Sequence, residues 1–104
     1  MSKIPETTKV VRDGKVAVLV SPGYGAGWST WADHQNAVFA PDVVAWVEAG
    51  KPHVDEDAFE HYGYTGGLRD VRIEWLPVGT RFRIDEYDGS ESLHIYSPDE
   101  GYVA

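Results

Sequence analysis

Cysteine is absent from this chain of 104 residues. That absence excludes disulfides, a thiolate nucleophile and any zinc–cysteine site, and it fits a reducing, cytoplasmic compartment. Long apolar runs are absent too: none approaches the roughly 20 residues needed to span a bilayer. The first residues, Met1-Ser2-Lys3-Ile4-Pro5-Glu6, lack the apolar core of a secretion signal. Basic residues are scarce, 9 against 17 acidic ones, which leaves a net charge of −8. The acids cluster. Between Asp42 and Glu60 only Lys51 opposes them, and no Lys or Arg follows Arg83. Such a surface repels phosphate backbones, so direct nucleic-acid binding is disfavoured, while a basic partner protein or mimicry of nucleic acid stays open. The same acids also serve simply to keep a globular protein in solution.

Against these absences stands one rich stretch, Ser21-Pro22-Gly23-Tyr24-Gly25-Ala26-Gly27-Trp28-Ser29-Thr30-Trp31. It follows the most apolar run in the chain, Val16 to Val20. Gly23, Gly25 and Gly27 alternate with residues that add flat apolar surface, Tyr24, Trp28 and, just beyond, Trp31. A strand that delivers such a loop to a helix start is where a binding surface is expected. The spacing is not the dinucleotide fingerprint, because Trp28 stands where the third glycine belongs. It is not a P-loop either, since no Gly-Lys-Ser or Gly-Lys-Thr follows. What remains is flexible backbone, amide donors and aromatic faces suited to a planar ring. The competing reading makes both tryptophans core and the glycines an aid to tight packing.

In chain order, residues 1–7 read as a loose arm on a single domain covering 1–104. Thr8 to Val20 reads as a hairpin, with Asp13-Gly14 as turn and Arg12 opposite Lys15, Val11 opposite Val16. Val16 to Val20 is apolar on both faces and belongs inside a sheet. Thr30-x-x-Asp33 has the form of a capping box for a short helix from Trp31 to about Asn36, whose exposed amides could hold an anion or carbonyl. A firmer helix spans Pro41 to Ala49, with Pro41 at its first turn and Gly50 at its end. Asp55 to Tyr62 forms a weaker helix anchored by Phe59 and Tyr62, and Tyr64 to Gly67 reads as a loop. Val71, Ile73 and Trp75 alternate with Arg72 and Glu74 as a half-buried strand. Asp88-Gly89 then turns a last hairpin, pairing Ile84 with Leu93, Phe82 with Ile95, Arg83 with His94 and Arg81 with Tyr96. That register sets Glu86 opposite Glu91, where repulsion is expected to cost a little. The whole predicts an α+β fold: a mainly antiparallel sheet of about five strands, covered on one face, with two or three short helices inserted between strands 2 and 3. One parallel pair between Val20 and Val71 remains open.

His34, His53, His61 and His94 match no compact ligand spacing, so neither a metal nor another cofactor is expected. Ser29 lacks the following glycine of a nucleophile elbow, and adjacent Asp33 and His34 diverge on a helix. No catalytic residue is assigned.

On Arg12-Asp13-Gly14, Val16-Ala17-Val18-Leu19, the stretch from Ser21 to Trp31, Ile73-Glu74-Trp75 and Phe82 to Glu91, the chain resembles a group of small bacteriophage-encoded proteins. The resemblance implies a virus-encoded accessory protein acting in the bacterial cytoplasm, where such proteins block host enzymes, sequester signalling nucleotides or tune host machinery. The leading expectation is a non-enzymatic protein that binds a small, nucleotide-like ligand through Gly23, Tyr24, Gly25, Gly27, Trp28, Ser29, Thr30 and Trp31. The alternative is an acidic inhibitor of a host protein, or a nucleic-acid mimic, and a small hydrolase ranks third. The wealth of aromatics suggests a homo-oligomer.

Overall fold

The computed structural model describes residues 9–23, 27–32, 37–52, 59, 62, 66–87, 89–95 and 102–104. The arm at 1–7 and most of the helices expected at 31–36 and 55–62 lie outside them.

The described residues form an α+β fold built on β2 (Lys15–Val20). β1 (Val11–Arg12) and β3 (Arg72–Pro77) flank it, both antiparallel, in a three-stranded sheet. The β1–β2 hairpin has the expected register, Val11 with Val16 and Arg12 with Lys15. Its turn needs two left-handed residues, and Asp13 and Gly14 supply them at φ 52° and 76°.

β4 (Arg81–Tyr87) and β5 (Ser90–Ile95) form the last hairpin. Phe82 pairs with Ile95, Arg83 with His94, Ile84 with Leu93 and Glu86 with Glu91, all as expected. The Arg81 partnership with Tyr96 lies outside the described residues. β6 (Tyr102–Val103) joins β4 on its other side. At two residues it is too short to leave a pattern in the sequence.

The expectation of one five-stranded sheet is therefore corrected to two antiparallel sheets of three strands each. The reason lies in β2, whose residues Val16 to Val20 are all buried. Ala17 and Leu19 pack with Trp28, Val43, Val44, Tyr62 and Val71 on the helical side. Val16, Val18 and Val20 pack with Phe39, Leu76 and Phe82 on the other. A strand that is apolar on both faces needs two covers, and the second sheet is one of them.

The helical cover contains α1 (Pro41–Glu48), with Pro41 in its first turn and Val43 and Val44 buried. Ala49 caps it, one residue from the expected end. Gly50 takes φ 87°, while its amide and that of Lys51 bond the carbonyls of Val47 and Trp46, a Schellman closure. A short 3-10 turn, Gly66–Arg69, replaces part of the loop expected there. Among the described residues no helix is long and apolar enough to cross a membrane.

Candidate functional site

The loop that begins at Ser21 is held by a residue from the far end of the chain. Glu91 is 2% exposed, on β5. Its Oε1 accepts the Ser21 amide at 2.9 Å. Its Oε2 accepts the amides of Trp28 at 2.8 Å and Thr30 at 2.9 Å, and the Thr30 hydroxyl at 2.6 Å. The backbone joins in: the Glu91 amide donates to the Ser21 carbonyl at 2.8 Å, and Ser90 Oγ to the Pro22 carbonyl at 2.7 Å. A carboxylate is acceptor-only, and donors from three residues converging on it give charge-assisted bonds that offset its burial. At the Thr30 turn the amides of Trp28 and Thr30 are taken by the protein's own Glu91 carboxylate.

This arrangement also answers the expected repulsion between Glu86 and Glu91. Glu91 turns inward to the loop, while Glu86 Oε2 accepts the Gly89 amide at 2.7 Å.

Steric reasons hold at Gly27 in the loop and at Gly67 in the facing 3-10 turn. A Cβ on Gly27 would stand 2.6 Å from Thr30 Oγ1, 2.9 Å from Trp31 Cδ1 and 3.1 Å from Glu91 Oε2. Gly67 lies against the backbone of Gly27 and Trp28, so a side chain fits at neither position. A Cβ on Gly23 would overlap the Asp70 side chain, 2.2 Å from its Oδ2 and 2.8 Å from its Cβ.

Trp28 is fully buried, its Nε1 donating to the Ala37 carbonyl at 2.8 Å. The Tyr62 ring meets it edge-on, centroids 5.8 Å apart at 70°. Its faces therefore serve the core. Tyr62 donates its hydroxyl to Asp42 Oδ1 at 2.7 Å. Burial, then that bond and the Asp42 charge, push the Tyr62 hydroxyl well above the ordinary tyrosine range. Tyr102 is raised as well, by burial and by the charge of Glu91.

Of the other expected ligand residues, Thr30 is exposed and Trp31 is 37% exposed. Ser29 is 9% exposed, and its Oγ is buried with no hydrogen-bond partner. Tyr24 and Gly25 lie outside the described residues. The structure thus brings Gly27, Trp28, Thr30 and Trp31 around one carboxylate that the residue chemistry of the loop did not announce. A signal for it existed: the hairpin register places Glu91 on the same face of β5 as Leu93 and Ile95. An acid on an apolar face calls for a set of donors.

Beside the loop, a cleft of about 510 Å³ opens between β3 and β5, lined by Val20, Pro22, Arg72, Glu74 and the β5 residues from Ser90 to Leu93. No group of three or more histidine or carboxylate side chains gathers as a metal site among the described residues. His94 contacts Asp85 and Ser92 on the outer face of the second sheet. No family model matches the chain, and neither a curated protein nor a solved structure matches it.

Proposed function

We propose that the protein is a non-enzymatic binding protein that takes a small, nucleotide-like ligand at the loop of residues 21–31. The observation that carries this reading is Ser29: a buried hydroxyl with no partner, on a turn whose neighbouring amides are already committed to Glu91. Buried polar atoms in proteins are nearly always satisfied, so this hydroxyl marks a place where a water, an ion or a ligand atom completes the turn, and we assign that role to the ligand. Trp31, two residues on, offers exposed ring surface for stacking, and Glu91 fixes the amides of Trp28 and Thr30 on either side of Ser29. Rigid placement favours binding because little entropy is lost on association.

In a virus-encoded accessory protein, the setting implied by the resemblance, such a site would sequester a host signalling molecule. Calorimetric titration against a panel of mono-, di- and cyclic nucleotides tests this. The expected result is saturable binding that Trp31→Ala weakens by about 1–3 kcal/mol, the range for base–aromatic stacking, and that Ser29→Ala also weakens. Absence of binding across the panel would remove the reading.

The second reading, an acidic inhibitor of a basic host protein or a nucleic-acid mimic, is favoured by the core role of Trp28 and the steric role of Gly27. Both residues have full employment in the fold without a ligand. A basic host protein that co-purifies and dissociates as salt rises would support it.

A further inference from the structure

We propose that the cleft between β3 and β5 reads the base of the loop's ligand, and that Arg72 and Glu74 make it selective for guanine. This rests on the nucleotide reading above and names the base within it.

Strand alternation places both side chains. Arg72 pairs with Val20, Glu74 with Val18 and Leu76 with Val16. Residues directly opposite in a ladder share a face, so Arg72 and Glu74 stand on the face of the first sheet that turns to the second. Their companions there, Val16, Val18, Val20 and Leu76, are apolar and buried. Two charged side chains at one end of that row resist dry packing. At that end the sheets leave the cleft of about 510 Å³, a size typical of small-molecule sites.

The pair does little for the fold. Arg72 Nη2 meets Glu74 Oε1 at 3.1 Å, with the side chains 63% and 40% exposed, and an ion pair so open to water contributes little stability. Among the described residues neither side chain makes another hydrogen bond or ion pair. Arg72 therefore keeps unspent N–H donors, and Glu74 Oε2 remains able to accept. Val20, Pro22 and Leu93 supply apolar surface beside them.

Of the common bases, guanine matches this set. Its Watson–Crick edge carries two adjacent donors, N1–H and the 2-amino group, beside the O6 acceptor. A carboxylate only accepts and can take both donors, while a guanidinium only donates and suits O6. Adenine and cytosine place a ring-nitrogen lone pair beside their amino group, and uracil flanks its one N–H with two carbonyls. Each of them would turn a lone pair toward the carboxylate. The base is also uncharged, which suits a chain of net charge −8 better than recognition through phosphate. The cleft adjoins the loop, for Pro22 belongs to both. Trp31 Cδ1 and Glu91 Oε2 stand 2.9 and 3.1 Å from the point a Gly27 Cβ would take, so the exposed indole neighbours a carboxylate that lines the cleft.

Calorimetric titration of the full chain with the nucleotide panel, each member supplied with guanine, hypoxanthine or adenine as its base, tests this. Hypoxanthine differs from guanine only in lacking the 2-amino group. Guanine forms are expected to bind tightest, and hypoxanthine forms about 10- to 100-fold more weakly, the loss of one hydrogen bond to a charged group. Glu74→Ala should leave the circular dichroism spectrum unchanged and erase that gap. Arg72→Ala should instead narrow the advantage of hypoxanthine, which keeps O6, over adenine, which lacks it. Trp31→Ala should weaken all three bases alike and preserve their order. Nucleotide binding without a guanine preference, or a preference that survives Glu74→Ala, would overturn the cleft as the base site and leave the loop reading standing. Absence of binding across the whole panel would remove both.

Discussion

The two faces of β2 are buried by different means. On one, Val16, Val18 and Val20 meet Phe39, Phe82 and Leu76, with Ile84, Leu93 and Tyr102 around them. The rings of Phe39 and Phe82 meet edge-on at 6.0 Å, and Phe82 stacks on Tyr102 at 5.3 Å. On the other, Ala17 and Leu19 meet residues drawn largely from loops and short helices, and three of the large ones carry polar ends with assigned partners: Trp28 to Ala37, Tyr62 to Asp42 and, at the margin, Trp46 to Pro52. The difference follows from connectivity. Where a tight turn sets register, apolar shape is enough to specify packing. Where irregular segments must find one arrangement, directional bonds select it, because an unmet polar group is costly.

The largest expected effects test whether both faces bear comparable weight. Phe82→Ala and Trp28→Ala should each cost about 3–5 kcal/mol in denaturant unfolding. Milder variants separate the faces. Phe82→Leu should cost under about 1.5 kcal/mol, whereas Trp28→Phe removes one of the two donors to the Ala37 carbonyl, leaving it the Ala40 amide, and opens a gap beside Tyr62, together about 2–3 kcal/mol. Equal losses for the mild pair would erase the distinction.

Glu91→Gln comes next. It places an amide N–H₂ among donors, leaving buried backbone amides unmet at about 1–3 kcal/mol each. Hydrogen exchange at Ser21, Trp28 and Thr30 should accelerate while the amides inside β2 stay protected. Uniform acceleration would mean that the loop and the sheet open as one unit.

Alkaline titration sharpens the helical side. The Tyr62 hydroxyl is raised in the folded state, so its contribution is fully present below the ordinary tyrosine pKa of about 10. It is lost as pH rises from there toward the folded value. Stability should therefore fall above about pH 10, and less steeply in Tyr62→Phe, with Tyr102 supplying the remaining slope. The Tyr62→Phe change itself should cost about 1.5–3 kcal/mol near neutrality, the range for a hydrogen bond to a charged group. The smallest effect belongs to neither face. Gly14→Ala meets no neighbouring atom and bears only the left-handed penalty of about 1 kcal/mol.

The same division explains what could be read in the residues alone. Both hairpins were legible to the residue pair, because Asp13-Gly14 and Asp88-Gly89 are local turn chemistry between alternating strands. α1 was legible to within a residue from Pro41 and Gly50. The split into two sheets was half-visible in the two-sided burial of β2, yet nothing local said that β4 would cover the sheet rather than extend it. The loop of residues 21–31 stood out by composition. Its organiser did not, because Glu91 is joined to it only through contacts 61 to 70 positions apart, and such pairs leave no periodic mark.

Those separations have a consequence for the order in which the molecule is made. Synthesis proceeds from the N-terminus, so Ser21, Trp28 and Thr30 leave the ribosome long before the carboxylate that gathers their amides exists. Until β5 emerges, the nascent chain carries an unclosed glycine-rich segment and a β2 without its second cover. Ser90 and Glu91 therefore act as a late clasp. A transcript cut short before codon 91 would yield a chain with both its tryptophan loop and its most apolar strand open to chaperones and proteases.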